Sequence, residues 1–107
     1  MSVAAGNTLN LGTVTRGVGG WADFSTTGAG TVAALESNNV GGIMPGFTFG
    51  NTWAVANGDG VAISGLGSYT LTSAAGTDAG NYTDNNIDVD NSAGTLDGAI
   101  TTNSLRF

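Results

Sequence analysis

The chain is 107 residues long and carries a formal net charge of -6. Lys, Gln, His and Cys are absent, and Arg16 and Arg106 are the only basic residues against eight acids. Two separated arginines cannot build the cationic surface that supplies most nucleic-acid affinity, nor a basic face for anionic lipid. Without Cys or His there is no disulfide framework, no thiol nucleophile and no imidazole base, which leaves carboxylate chemistry or none.

The length allows one domain, so a single module over 1–107 is expected. Gly, Thr, Ala, Asn and Ser fill most positions, a composition that also marks flexible chains. Here only 9% of residues are charged and 40% are apolar, with aromatic and branched aliphatic residues spread along the whole length. That load predicts an ordered β structure. No segment approaches the ~20 apolar residues needed to span a bilayer. The first residues, Met1-Ser2-Val3-Ala4-Ala5-Gly6, lack the basic start and apolar stretch of a signal peptide. The expectation is therefore a cytosolic chain or a segment of a larger secreted protein.

Taken in order, the elements read as short strands between turn residues. Leu9 and Leu11 alternate with Asn10, and Gly12 breaks the phase before Val14. Ala22 and Phe24 alternate with Trp21 and Asp23. Gly30 to Ser37 is the best helix candidate, but it is short and flanked by glycine, so a strand is predicted there. Further strands are predicted around Phe47 and Phe49, Val61 and Ile63, Tyr69 and Leu71, Ile87 and Val89, and from Ile100 to Phe107. The corners between them are Gly17-Val18-Gly19-Gly20, Gly41-Gly42, Asn57-Gly58-Asp59-Gly60, Gly65-Leu66-Gly67 and Asn91-Ser92-Ala93-Gly94. Asn57-Gly58 reads as a two-residue hairpin turn. Pro45 falls in the loop before Phe47.

Many short strands with frequent corners suit a sandwich, a barrel or a β-solenoid. The strands are short for a sandwich core, Thr and Asn stack well when equivalent positions repeat, and few charges would repel across coils ~4.8 Å apart. These features favour the solenoid, although no clean repeat of fixed length is visible.

The order of several motifs carries a resemblance. The chain opens Asn7-Thr8-Leu9-Asn10-Leu11-Gly12-Thr13-Val14-Thr15-Arg16, followed by Gly19-Gly20 and Asp23-Phe24. Its middle runs from Gly41-Gly42-Ile43 to Gly46, then Thr52-Trp53-Ala54-Val55 and Gly60-Val61-Ala62. It closes Thr101-Thr102-Asn103-Ser104-Leu105-Arg106-Phe107. This order resembles the autotransporter-associated β-strand repeat modules of large bacterial secreted and surface proteins. Met44-Pro45-Gly46-Phe47-Thr48-Phe49 is an unusual central filling, and Tyr69 to Asp84 reads as a variable insertion. The resemblance implies a right-handed parallel β-helix, an extracellular or cell-surface setting and a scaffold role. In such a module each axial end is a row of unpaired backbone groups. End-to-end association is then expected, or a cap formed by residues 1–6 or by the insertion at 73–86.

Among candidate sites, Asp84, Asn85, Asn86, Asp88, Asp90 and Asn91 form an acidic cluster, with Asp78 and Asp97 near in sequence. Alternate Asp and Asn can supply calcium oxygens, and in a strand Asp84, Asn86, Asp88 and Asp90 share one face. The bland alternative is a solvated strand face opposite Ile87 and Val89. The segment is not an EF-hand loop, since Ala93 stands where that loop needs glycine. Trp21, Trp53, Tyr69 and Tyr82 are candidates for stacking on sugar rings, against ordinary packing. A carboxylate pair for glycoside hydrolysis is the weakest reading, with two arginines at opposite ends and fold as its main support. No catalytic, cofactor-binding or metal-ligating residue is assigned, and calcium at Asp84–Asp90 stays an open alternative.

The sequence thus predicts an all-β, non-enzymatic structural module that stacks through its axial edges or on neighbouring repeats of a parent chain. The expected inward residues are Leu9, Leu11, Val14, Phe24, Val32, Ile63, Leu71, Ile87, Val89 and Leu105. The alternative is a glycan-binding adhesion module, with or without calcium.

Overall fold

The computed structural model describes residues 3–24, 30–71, 77–89 and 94–106. The described residues are all-β, with no α-helix and two short 3-10 turns. The sheets are open, not closed. The chain divides into two compact units, Met1–Leu66 and Gly67–Phe107.

Among the described residues the first unit holds seven strands: β1 (Thr8–Asn10), β2 (Ala22–Asp23), β3 (Thr31–Ala34), β4 (Phe47–Phe49), β5 (Thr52–Val55), β6 (Gly58–Ala62) and β7 (Ser64–Gly65). The candidate helix is thus strand β3 followed by a 3-10 turn at Glu36–Asn38. Two ladders are parallel. Thr8 lies opposite Thr31, a step of 23 residues, and Ala22 lies opposite Phe47, a step of 25. The chain then reverses. β5 returns antiparallel along β4, β6 runs antiparallel to β3, and β7 antiparallel to β5. The sheets are ordered β1-β3-β6 and β2-β4-β5-β7.

Asn57-Gly58 does not close a hairpin, because β5 and β6 lie in different sheets. Their side-chain and backbone partners are elsewhere: the Asn57 amide donates to the carbonyl of Ala62 at 2.7 Å and to Ser64 Oγ at 3.0 Å. The tight reversals fall at Gly50-Asn51, between β4 and β5, and at Gly41-Gly42. There Val40 and Ile43 face each other across two residues with φ of 61° and 81°. Positive φ at both central positions is the hairpin geometry that glycine adopts without steric cost.

The core of this unit is built on small residues. Ala34, Met44, Ala54, Ala56 and Ile63 are buried together, and Leu11, Val14, Phe24, Val32, Phe47 and Phe49 pack against them. The Phe24 and Phe47 rings stack with centroids 5.7 Å apart. Leu9, expected inside, is 39% exposed. It shares a row with Val32, but β1 is an edge strand and nothing among the described residues continues the sheet beyond it.

Among the described residues the second unit forms one sheet of three parallel strands, ordered β10-β9-β8: β8 (Thr70–Leu71), β9 (Asn86–Asp88) and β10 (Ser104–Arg106). Thr70 lies opposite Ile87 and Ile87 opposite Leu105, steps of 17 and 18 residues. Ile87 and Tyr82 are buried, with Val89, Leu96, Ile100 and Leu105 packed on them. Tyr82 sits in the 3-10 turn Ala79–Tyr82, so the segment expected as an insertion supplies part of this core. Residues 1–2 and 73–76 of the expected caps, the Leu71 side chain, and Asp90 and Asn91 lie outside the described residues.

Candidate functional site

Two kinds of feature stand out: side-chain amides that bind backbone at corners, and strand edges. Asn38 spans two successive passes of the chain. Its amide donates to the carbonyls of Gly12 at 2.8 Å and Leu35 at 2.7 Å, and its Oδ1 accepts from the Val14 N–H at 2.7 Å. Asn39 mimics a strand toward Ala56, donating to its carbonyl at 2.8 Å and accepting from its N–H at 3.0 Å. Corners leave backbone groups that no ladder satisfies, and asparagine carries both a donor and an acceptor to fill them.

The closing motif does the same in the second unit. Thr102 Oγ1 donates to the carbonyl of Asn85 at 2.6 Å, the Asn103 amide to that of Asp84 at 2.6 Å, and Ser104 Oγ to Asn86 Oδ1 at 2.8 Å. Arg106 reaches across the ladder to Asp88, donating from Nε at 3.1 Å and pairing through Nη2. Its guanidinium lies 4.2 Å from the centre of the Tyr69 ring. The hydrogen bond to Asp88 holds Arg106 above the usual arginine value, with desolvation opposing it.

These contacts redistribute the acidic cluster. Asp84 is not in a strand; it takes a left-handed φ of 59°, so it cannot share a strand face with Asp88. Asp88 pairs with Arg106. Asp78 Oδ1 accepts from the Gly80 N–H at 2.8 Å, and Asp97 Oδ1 accepts from the Ala79 N–H at 2.8 Å, so both fix the start of the 3-10 turn. Among the described residues no three acidic side chains gather as a metal site.

The aromatic candidates are likewise dispersed. Tyr82 is core, Trp53 is half-buried on β5, and Tyr69 covers Arg106. Trp21 is 73% exposed beside the edge strand β2, where Asp23 accepts a hydrogen bond from Thr48 at 2.7 Å. Arg16 donates to the Gly20 carbonyl at 3.0 Å and lies across Gly46. A Cβ at Gly46 would stand 2.5 Å from Arg16 Cδ, so the flexible Arg16 side chain would have to move, and the φ of 80° at Gly46 favours glycine.

The strand edges are the remaining feature. Among the described residues β1, β2, β6, β7, β8 and β10 each pair on one side only. The Asn and Ser-Thr staples were not singled out from sequence; their signal is an Asn-Asn or Thr-Asn-Ser group directly beside a predicted strand. Compared with protein-family profiles, curated proteins and solved structures, the chain matches none. Among the described residues no helix is long and apolar enough to cross a membrane.

Proposed function

We propose that the chain is a structural module of β-solenoid type from a bacterial extracellular or cell-surface protein, and that it stacks end to end as a stalk, adhesin or filament element. The observation that carries this reading is the second unit. Three parallel strands follow one another at steps of 17 and 18 residues, with matching residues in register. Successive parallel strands at a near-constant step are what coil upon coil produces. The two parallel ladders of the first unit, at steps of 23 and 25, support it, and the antiparallel return of β5–β7 is a departure from it. The motif order that resembles the autotransporter-associated repeats gives the setting. The right hand of the coil and the scaffold role belong to the same reading.

Negative-stain electron microscopy at several concentrations tests it. Long uniform fibres are expected. Monodisperse small particles at every concentration would defeat stacking of this chain.

A second reading, a glycan-binding adhesion module, is favoured by one observation: the exposed indole of Trp21 beside the Asp23–Thr48 pair. Exposed indoles stack on sugar rings and carboxylates accept their hydroxyls. A glycan array with wild type and Trp21→Ala, with and without chelator, tests it. A flat array in all conditions would remove it.

A further inference from the structure

We infer that the outer edge of β10 is the acceptor, and the outer edge of β1 the donor, for parallel strand addition between two copies of this chain, with Leu105 opposite Leu9. This rests on the stacking reading above and names its contact.

Backbone direction sets which groups each edge offers. In a parallel ladder, alternate residues turn both N–H and C=O to the same side. On β1, the Asn7 carbonyl accepts from Thr31 at 2.9 Å and the Leu11 N–H donates to Ala33 at 2.8 Å. Odd-numbered residues therefore face β3, and Thr8 and Asn10 turn their backbone groups outward. On β10, the Arg106 carbonyl accepts from the Val89 N–H at 2.7 Å. Arg106 therefore faces β9, and Leu105 faces outward. A residue with outward groups bonds in a parallel ladder to the two residues flanking its opposite number. Leu105 and the Thr8–Asn10 pair meet that condition in one register. The Leu105 N–H donates to the Thr8 carbonyl of a second copy, and the Asn10 N–H of that copy donates to the Leu105 carbonyl.

The side chains agree with this register. Leu105 packs on the buried Ile87 cluster, and Leu9 shares its row with Val32, which packs on the core of the first unit. Facing Leu105 with Leu9 joins two inward rows and covers a leucine left 39% exposed at an edge. A slip of one residue would turn each inward row against an outward one. With Leu105 opposite Leu9, Ser104 faces Thr8, and Arg106 faces Asn10, whose amide holds Asp59. Arg106, paired with Asp88, thus comes beside Asn10, which bonds to Asp59 of β6, and no two like charges face each other across the joint.

The contact is heterologous, so one blocked donor and one blocked acceptor complement each other. Leu9→Lys blocks the donor edge with a charge. Leu105→Pro removes the outward N–H that the acceptor needs while sparing the bonds to β9. Sedimentation is measured on wild type, on each variant alone and on an equal mixture, with circular dichroism to confirm folding. Wild type is expected to form assemblies, each variant to remain monomeric, and the mixture to form dimers and stop there. Where Leu105→Pro loses its fold, an ester at the Leu105 amide removes the same N–H and keeps the side chain. Assembly of either variant like wild type, or a mixture that stays monomeric, overturns this pairing and leaves stacking standing. A wild type that stays monomeric overturns both.

Discussion

Asn38 satisfies three backbone groups from two different passes of the chain. Its removal strands all three, and polar groups left unpaired in a half-buried corner lose more than the bonds themselves. Asn38→Ala is expected to cost about 2–3 kcal/mol in urea unfolding, while Val18→Ala, at a fully exposed side chain, falls within about 0.5 kcal/mol. Ile87 is fully enclosed, and Ile87→Ala is expected to cost about 3 kcal/mol by the same measurement. Gly46→Ala costs about 1–2 kcal/mol because its backbone is left-handed and because Arg16 must leave its place. The expected inward positions Ile63 and Ile87 are buried, and Leu11, Val14, Phe24, Val32, Val89 and Leu105 pack on the two clusters. What the sequence hid was the weight of Ala33, Ala34, Ala54 and Ala56, all buried. An alanine reads the same in a core, on a surface and in a loop; only the close approach of neighbouring strands makes it a core residue.

At the scale of elements, local alternation located β1, β4 and β9 because a half-buried strand needs a period of two, while the β3 segment reads as a strand because it is too short and glycine-flanked for a helix. Alternation said nothing about direction. The reversal at Gly50-Asn51 makes β5–β7 antiparallel, and nothing in Thr52-Trp53-Ala54-Val55 distinguishes a strand that returns from one that climbs to the next coil. Asn57-Gly58 gave the stronger hairpin signal, yet its amide was needed by Ala62 and Ser64. The acidic cluster misled for a similar reason. Alternation placed Asp84 and Asp88 on one face, whereas the corner before β9 begins at Asp84. The pair between β9 and β10 has a measurable value. A double-mutant cycle on Asp88→Ala and Arg106→Ala is expected to give a coupling of about 0.5–1 kcal/mol, since both groups are partly exposed. Arg106 is raised by its bond to Asp88, so its share of that stability is complete below the ordinary arginine value. That share is lost only as pH rises through the raised one. The arginine's own titration therefore leaves no mark on stability near neutral pH, which unfolding curves at pH 6 and 8 would check after subtraction of the Arg106→Ala background.

For the whole molecule, charge and the two arginines decide much of the behaviour. A net charge of -6 with few charged groups opposes lateral association of copies along their sides. Light scattering is expected to rise as pH falls from neutral toward the sequence pI of about 4.1. The contact of Arg16 with Gly46 and Gly20 has a further consequence, in digestion. Trypsin cuts after lysine or arginine, and this chain offers it only Arg16 and Arg106. One is laid across a neighbouring turn and the other is held by a carboxylate and an aromatic ring. A protease must draw several residues around its target into an extended strand, so each cut waits on local opening. The native protein is therefore expected to outlast its Gly46→Ala variant in trypsin, with the first new fragment beginning at Gly17.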